Sequence, residues 1–406
     1  MKNLVIEMHE LIPYAMNAAN SGEFGEVKNI TIGGVPRAVM SSQAIKYAVR
    51  NTMAENNLRT NYYVNEIVNK CFDIDNSLSQ NADFVKHVLG ACGIALKGVD
   101  KKDKKTSKDT VPIEVENLLN GIGVKSSTTE VTSRAEIEDI AKVLVDSYNA
   151  GNDEQQTKKK LEDMDRMIDL WTAAFGRMST NAMFKTVEGA VQTSMSYSVD
   201  AFLHQNDYFS VIDSLQKKYD PQNAGAANLQ DKSVSANLMY RYINISVGSL
   251  IHNYRLLERI TNDNIREDKE AQMFASFVSD LLIHFCYCHP VAKQHSMASM
   301  PTPAAVAIFT GKNIFTCTMD SAFNKVVQAS HNKSTTEEAA SRLIKWTDND
   351  MIVDQYDSAI AWVPDTVEPS KSIETRTIIR DAYTYAKTSI YDIVMDYIID
   401  VQKAGC

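Results

Sequence analysis

Lys28-Asn-Ile-Thr-Ile32-Gly33-Gly34-Val-Pro36-Arg37-Ala-Val-Met40-Ser41-Ser42-Gln43-Ala-Ile45-Lys46-Tyr-Ala-Val-Arg50 holds four basic residues, Lys28, Arg37, Lys46 and Arg50, and no carboxylate. The surrounding chain is acidic, with a net charge of −9. Ser41-Ser42-Gln43 reads as the start of a helix. Ile45, Ala48, Val49, Thr52 and Met53 follow at the spacing of a core-facing stripe, which leaves Lys46 and Arg50, one turn apart, together on the flank. The unpaired N–H groups of such a helix carry partial positive charge, so the cations and the helix start suit one anion, as at a phosphate site. The same residues also suit a solvated basic helix edge with an ordinary serine cap.

Working outward, Leu4, Ile6 and Met8 alternate as in a half-buried strand, and a polar loop follows from Pro13 to Thr31. Gly33-Gly34 and Pro36 mark a turn before the basic helix. From about Asn57 to Asp169 the pattern is helical, interrupted by the run Lys97, Lys101, Lys102, Lys104, Lys105 and Lys108. Ser133-Arg-Ala-Glu136 is a capping-box sequence ahead of the stripe Ile137, Ile140, Ala141, Leu144, Val145 and Tyr148. Leu161, Met164, Ile168 and Trp171 predict a further helix, preceded by Lys158-Lys159-Lys160, which suits a solvated edge.

The period then changes from helix to strand. Alternation from Val187 to Val199 predicts one long antiparallel strand, and a second run from Leu238 to Val247 sets Tyr240, Tyr242 and Asn244 against Arg241, Ile243 and Ile245. Between them, residues 201–236 carry a turn sequence from Asp220 to Gly225 and the adjacent aromatics Tyr208 and Phe209, as expected of a projecting insertion. A helix ending near Phe285, a strand at Ala304 to Thr310 and a long closing helix from Ile379 to Val401 complete the pattern. The order implies an α+β fold, a split β-α-β ferredoxin-like sheet with helical and hairpin insertions.

Composition narrows function. A 44% hydrophobic fraction in 406 residues supports a sizeable core, and the negative charge confines any nucleic-acid site to a local groove. Glu7, His9 and Glu10 break the first apolar run and no later one is long enough for a bilayer, so a cytoplasmic protein without membrane contact is expected. The six cysteines lack disulfide-framework spacing; His284, Cys286, Cys288 and His289 suit either a metal site or small buried residues. Neither a P-loop, an H-E-x-x-H motif nor a nucleophile elbow is present, and no cofactor is expected.

Four segments together resemble the CasC family, the Cas-seven-type backbone subunit of type I-E Cascade, a CRISPR RNA-guided DNA surveillance complex. They are Ile6-Glu-Met-His-Glu-Leu-Ile12, Gly33 through Ser41-Ser42-Gln43 to Arg50, Phe175-Gly176-Arg177-Met178-Ser-Thr180, and Tyr240-Arg241-Tyr242-Ile-Asn244. Ala292-Lys293-Gln294 is a weaker fifth, and the likeness fades beyond about residue 330. The resemblance implies an RRM-like (ferredoxin-like) palm in residues 1–56, 171–200 and 237–330, helical fingers in 57–170, a β-hairpin thumb in 201–236 and a C-terminal helical region in 331–406.

It further implies a non-catalytic scaffold whose copies polymerise head-to-tail on crRNA, beside other Cascade subunits and a target DNA strand paired to the guide. Its RNA contacts fall on Lys28, Arg37, Ser41, Ser42, Gln43, Lys46, Arg50 and Met178, with Tyr208, Phe209, Ser210 and Leu229 in the thumb. Val35, Pro36 and Tyr47 stand where the family often has cations. Two other readings stay open: RNA cleavage through Glu23 or Glu26, and an ordinary α/β domain without a nucleic-acid partner.

Overall fold

Strand β1, Leu4–Pro13, is buried along both faces apart from its last residue, so the half-buried strand expected from alternation is instead central. Its even residues meet one helical layer, where Met8 touches Cys286, and its odd residues meet another. A computed structural model describes residues 3–53, 57–94, 112–211, 214–219, 228–348 and 355–404. The chain forms two compact units, the first from Met1–Met53, Val191–Gly248 and Leu257–Cys406, the second from Ala54–Ala190 and Ser249–Leu256.

Along the chain the further strands are β2 (Asn29–Ile32), β3 (Val35–Met40), β4 (Asn57–Thr60), β5 (Glu130–Ser133), β6 (Val191–Thr193), β7 (Ser196–Ser198), β8 (Gln205–Val211), β9 (Asn228–Val234), β10 (Leu238–Ser246), β11 (Ala305–Lys312), β12 (Ser358–Trp362) and β13 (Glu374–Arg376). The first unit is built on a mixed sheet in the order β13-β12-β11-β1-β10-β7-β3-β2, with β6 also paired to β10. Among the described residues only β12 and β13 pair in parallel. Helix α1, Ser42–Met53, lies between β3 and the later strands in chain order, and helix Lys269–Tyr287 connects β10 to β11.

Two of the sequence motifs are neighbours in this sheet. β1 and β10 pair so that Glu7 opposes Asn244, His9 opposes Tyr242 and Glu10 opposes Arg241. Glu7 accepts hydrogen bonds from the hydroxyls of Tyr242 and Tyr356 and from the Cys317 N–H, while burial raises its pKa. On the other face Arg241 Nε lies 3.1 Å from Glu10 Oε2. The motifs are therefore core charge networks shared between strands.

The expected long strand from Val187 to Val199 is broken. Thr193 pairs with Ile243 but Tyr197 with Tyr240, so Ser194, Met195 and Ser196 oppose only Arg241 and Tyr242, a β-bulge. Ser196 Oγ donates to the Tyr240 carbonyl at 2.7 Å, filling the gap in the ladder, and Met195 is turned outward. Alternation continues through a bulge in sequence but not in space. Similarly, β3 replaces the turn expected at Pro36: Gly33 and Gly34 have φ of +59° and +81°, the type I′ geometry of a two-residue hairpin.

The second unit contains helices Tyr63–Ile74, Ala82–Ala91, Ile113–Leu119, Arg134–Asn149, Glu154–Asp163 and Leu170–Phe175 with the β4–β5 pair. Ile137, Ile140, Ala141, Leu144 and Val145 all enter its core with Phe84, Val88 and Leu161. The helix expected through Leu161, Met164, Ile168 and Trp171 is two helices, because Asp169 caps a new start at Trp171 and Thr172. Beyond residue 330 the expected helical region also contains β12 and β13, whose short Ala-rich strand β12 acquires its conformation from pairing with β11. The closing helix is segmented into Asp381–Tyr385, a π-turn at Ala386–Ile390 and Tyr391–Lys403.

Candidate nucleic-acid interface

The start of α1 follows directly from the end of β3. Ser41 is its cap, its Oγ accepting from the Ala44 N–H at 3.3 Å and its carbonyl from Ile45 at 3.1 Å. Ser42 and Gln43 sit in the first turn, which has no acidic residue, and Gln43 is exposed. Ile45 and Val49 anchor the helix in the core. Lys46, one turn in, is half-buried, and its Nζ donates to the Val191 carbonyl at 2.9 Å. Burial lowers the Lys46 pKa. Arg50, half-buried, follows one turn on, and Lys28, exposed, lies across from Val39, two residues before Ser41.

Arg37 does not join them. It is fully buried, and its guanidinium donates to the carbonyls of Ser198 (2.9 Å), Val199 (2.5 Å) and Phe323 (3.1 Å). Strand alternation in β3 turns it inward, where it satisfies backbone acceptors of two other segments. Its place beside the cationic cluster is one of sequence, and it is removed from the candidate site.

The insertion forms the antiparallel hairpin β8–β9, with Tyr208 opposite Asp231, Phe209 opposite Gln230 and Ser210 opposite Leu229. Tyr208 is 74% exposed, Phe209 38%, and Ser210 is exposed as well. Tyr219 and Leu215, further along the insertion, add exposed apolar surface that the sequence reading did not single out. The turn from Asp220 to Gly225 and the lysine run from Lys97 to Lys108 lie outside the described residues.

In the second unit Arg177 and Met178 divide the Gly-Arg-Met motif between fold and surface. Arg177 is buried and bidentate to Glu136, at 2.6 and 2.8 Å, and donates to the carbonyls of Val131 and Lys185. Met178 is 86% exposed. Gly176 has φ +73°, and a Cβ there would lie 2.6 Å from the Val187 carbonyl oxygen, so only glycine fits. The capping box expected at Ser133 is half formed: Ser133 Oγ accepts from the Glu136 N–H, but the Glu136 carboxylate is taken by Arg177. Lys158 to Lys160 lie exposed on helix Glu154–Asp163, where Lys158 approaches Glu162 at 3.9 Å.

The remaining candidates disperse. Cys286 packs on Met8, Cys288 meets Thr52, His284 bonds the Asp280 carbonyl and His289 accepts from Arg241 at 2.7 Å. Among the described residues no group of three or more His, Cys, Asp or Glu side chains could hold a metal ion, and no helix is long and apolar enough to cross a membrane. Glu26 accepts from the Phe24 N–H within its own turn at 3.0 Å, and Glu23 is exposed.

No curated protein matches this chain. Among solved structures, a chain from a "CRISPR RNA-guided surveillance complex, pre-nicking" is 18% identical with a TM-score of 0.69, covering 95% of this chain and 100% of its own. A chain from a "CRISPR RNA-guided surveillance complex" is 16% identical with a TM-score of 0.61, covering 95% of this chain and 99% of its own. At these identities the likeness is one of fold. The family described as CT1975-like protein matches residues 6–377, so the kinship extends well past residue 330, where the motifs fade. The chain accordingly belongs to the CT1975-like protein family and is a CasC-type CRISPR protein, as its motifs in β1, α1, the Gly-Arg-Met loop and β10 led one to expect.

Proposed function

We propose that this protein is a non-catalytic RNA-binding scaffold whose copies polymerise head-to-tail along a CRISPR guide RNA, forming the backbone of a Cascade-type complex that finds target DNA by base pairing. In this reading β11-β1-β10-β7, with α1 and helix Lys269–Tyr287 as connections, is an RRM-like palm, the second unit supplies the fingers and β8–β9 the thumb. The observation that carries it is Lys46: a half-buried ammonium held by a backbone carbonyl, one turn inside a helix start without acidic residues. Lys28, Ser41, Ser42, Gln43 and Arg50 complete a phosphate cradle that recognises backbone and not base, so any spacer sequence is accepted. Met178, Tyr208, Phe209, Ser210 and Leu229 are the proposed contacts to the bases.

Lys46→Met separates function from fold. Because burial lowers the Lys46 pKa, the charged form opposes folding at every pH below that folded value. The variant's melting temperature is expected to equal or exceed that of the unmodified chain, while guide RNA binding falls by at least about tenfold. Lys46→Ala with Arg50→Ala is expected to abolish recovery of RNA-bound oligomer, and nuclease treatment should collapse the unmodified particle. Normal yields of RNA-bound oligomer from the double variant would refute the cradle.

Complementary RNA incubated with the assembled protein and a divalent metal is expected to stay intact. Periodic cleavage that disappears in Glu23→Gln or Glu26→Gln would replace the scaffold by an enzyme.

A further inference from the structure

The β8–β9 hairpin leaves the sheet at a rung that charged side chains hold open. Ser198 of β7 lies opposite Met239 of β10, and Val199 and Leu238 follow where the two strands feeding the hairpin part. The Val199 N–H donates to the Leu238 carbonyl at 2.8 Å. In a regular antiparallel pair the Leu238 N–H returns that bond to the Val199 carbonyl. Here the Leu238 N–H donates to Asp200 Oδ1 at 3.1 Å instead, and the Val199 carbonyl accepts from the Arg37 guanidinium at 2.5 Å. Both halves of one backbone bond are exchanged for charged partners, and the β7–β10 ladder ends there.

Asp200 is tied on every side. Its Oδ2 accepts from Asn237 Nδ2 at 3.1 Å, and the same amide reaches the Ala201 carbonyl at 3.3 Å. Its own carbonyl accepts from Ser198 Oγ at 2.8 Å, while Arg37 also holds the Ser198 carbonyl. Burial raises the Asp200 pKa, and Asn237, the Leu238 N–H and Arg37 lower it.

The two stems are seated just beyond this rung. The Phe202 N–H donates to the Pro36 carbonyl at 2.9 Å, and its ring is buried with Tyr14, Met40 and Met239. On the returning stem Ser235 exchanges two backbone bonds with Asn17, each 2.9 Å, and the Asn237 carbonyl accepts from the Tyr14 N–H at 3.0 Å. From Leu203 outward the chain is exposed, and among the described residues β8 and β9 pair only with each other. The direction of the ribbon is therefore set mainly at its base.

We propose that Asp200 and Arg37 are positioning residues that hold open the Val199–Leu238 rung and so fix the orientation in which the β8–β9 hairpin is presented to the guide. The inference rests on the RNA-binding reading above. An arm already fixed at its base loses less conformational freedom when it closes over a ligand, which strengthens binding without any new contact.

The test measures amide hydrogen exchange, melting temperature and binding of labelled spacer-length single-stranded RNA for the unmodified chain, Asp200→Ala, Asp200→Asn and Lys46→Met. Asp200→Ala is expected to speed exchange at Leu238 by about tenfold, the loss of a hydrogen bond to a charged group, while the amides of β1 and β11 stay as protected as before. RNA affinity is expected to fall by about tenfold, as for an arm correctly oriented roughly one time in ten. Asp200→Asn keeps an acceptor for the Leu238 N–H and should recover most of both. Faster exchange at Leu238 with unaltered RNA affinity, while Lys46→Met loses binding, would overturn the positioning role and leave the function standing. Unchanged exchange at Leu238 would overturn it as well. Loss of protection throughout β1 and β11 in both Asp200 variants, with a large fall in melting temperature, would make the residue a general support of the fold and refute the proposal. Failure of the unmodified chain to bind RNA would overturn both readings.

Discussion

Arg177→Ala is expected to destabilise the second unit by about 3–5 kcal/mol, because it strands the buried Glu136 carboxylate without its bidentate partner. For a unit of this size that is a fall in melting temperature of roughly 10 °C. The loss measures an unpaired charge and not the net worth of the pair. Arg177→Met with Glu136→Leu should therefore recover most of the stability, the Val131 and Lys185 carbonyls remaining as the residual deficit. Thermal unfolding followed by circular dichroism decides it. A single variant that melts within a degree or two of the unmodified chain would show that the pair carries no such asymmetry. Arg177 also ties the loop from which Met178 projects, so RNA binding should fall in the single variant if Met178 packs against the guide.

Arg241→Leu should produce a loss of similar size in the first unit, about 3–5 kcal/mol, with an added pH signature. Glu10 is fully buried, and burial raises its pKa while Arg241 opposes the rise. Removing the guanidinium removes the opposing influence, and the Glu10 pKa moves further up. A carboxyl whose folded pKa exceeds its unfolded value stabilises the fold below the unfolded value and loses that contribution as pH rises through the folded one. The variant is thus expected to recover part of its stability on lowering pH from 8 toward 5, relative to the unmodified chain, as Glu10 takes up a proton. In the unmodified chain burial, with Arg241, pushes His289 down to about 3; the burial, the larger cause, remains in the variant and opposes a charged ring in place of the lost cation. A deficit independent of pH would contradict this account.

These networks explain how the motifs came to be read as a family signature and what they do in the fold. Ile6 to Ile12 and Tyr240 to Asn244 were legible as strands because their apolar residues alternate. Their charged members are interior groups: the register of β1 against β10 sets Glu10 against Arg241 on one face and leaves Glu7 with the Tyr242 hydroxyl on the other. Nothing in either segment alone states that register. The cationic cluster shows the same division. Ser41 as cap, Ile45 and Val49 as anchors and Lys46 on the flank all follow from a 3.6-residue period. Arg37 has the same sign and lies close in sequence, yet it is a buried clamp on three carbonyls, since a strand and not a turn carries it.

Period, caps and turn residues are properties of neighbours in the chain, and they determined α1 and its cap, the core stripe from Ile137 to Val145, the aromatic hairpin and the α+β alternation. Pairings between distant segments were decided only in the folded chain. Arg177 with Glu136, the bulge from Ser194 to Ser196 and the strands β12 and β13 all belong to that class. The physical reason is the range of the forces. Dihedral preference and local capping act over a turn or two, whereas desolvation and charge pairing depend on which surfaces tertiary packing removes from water.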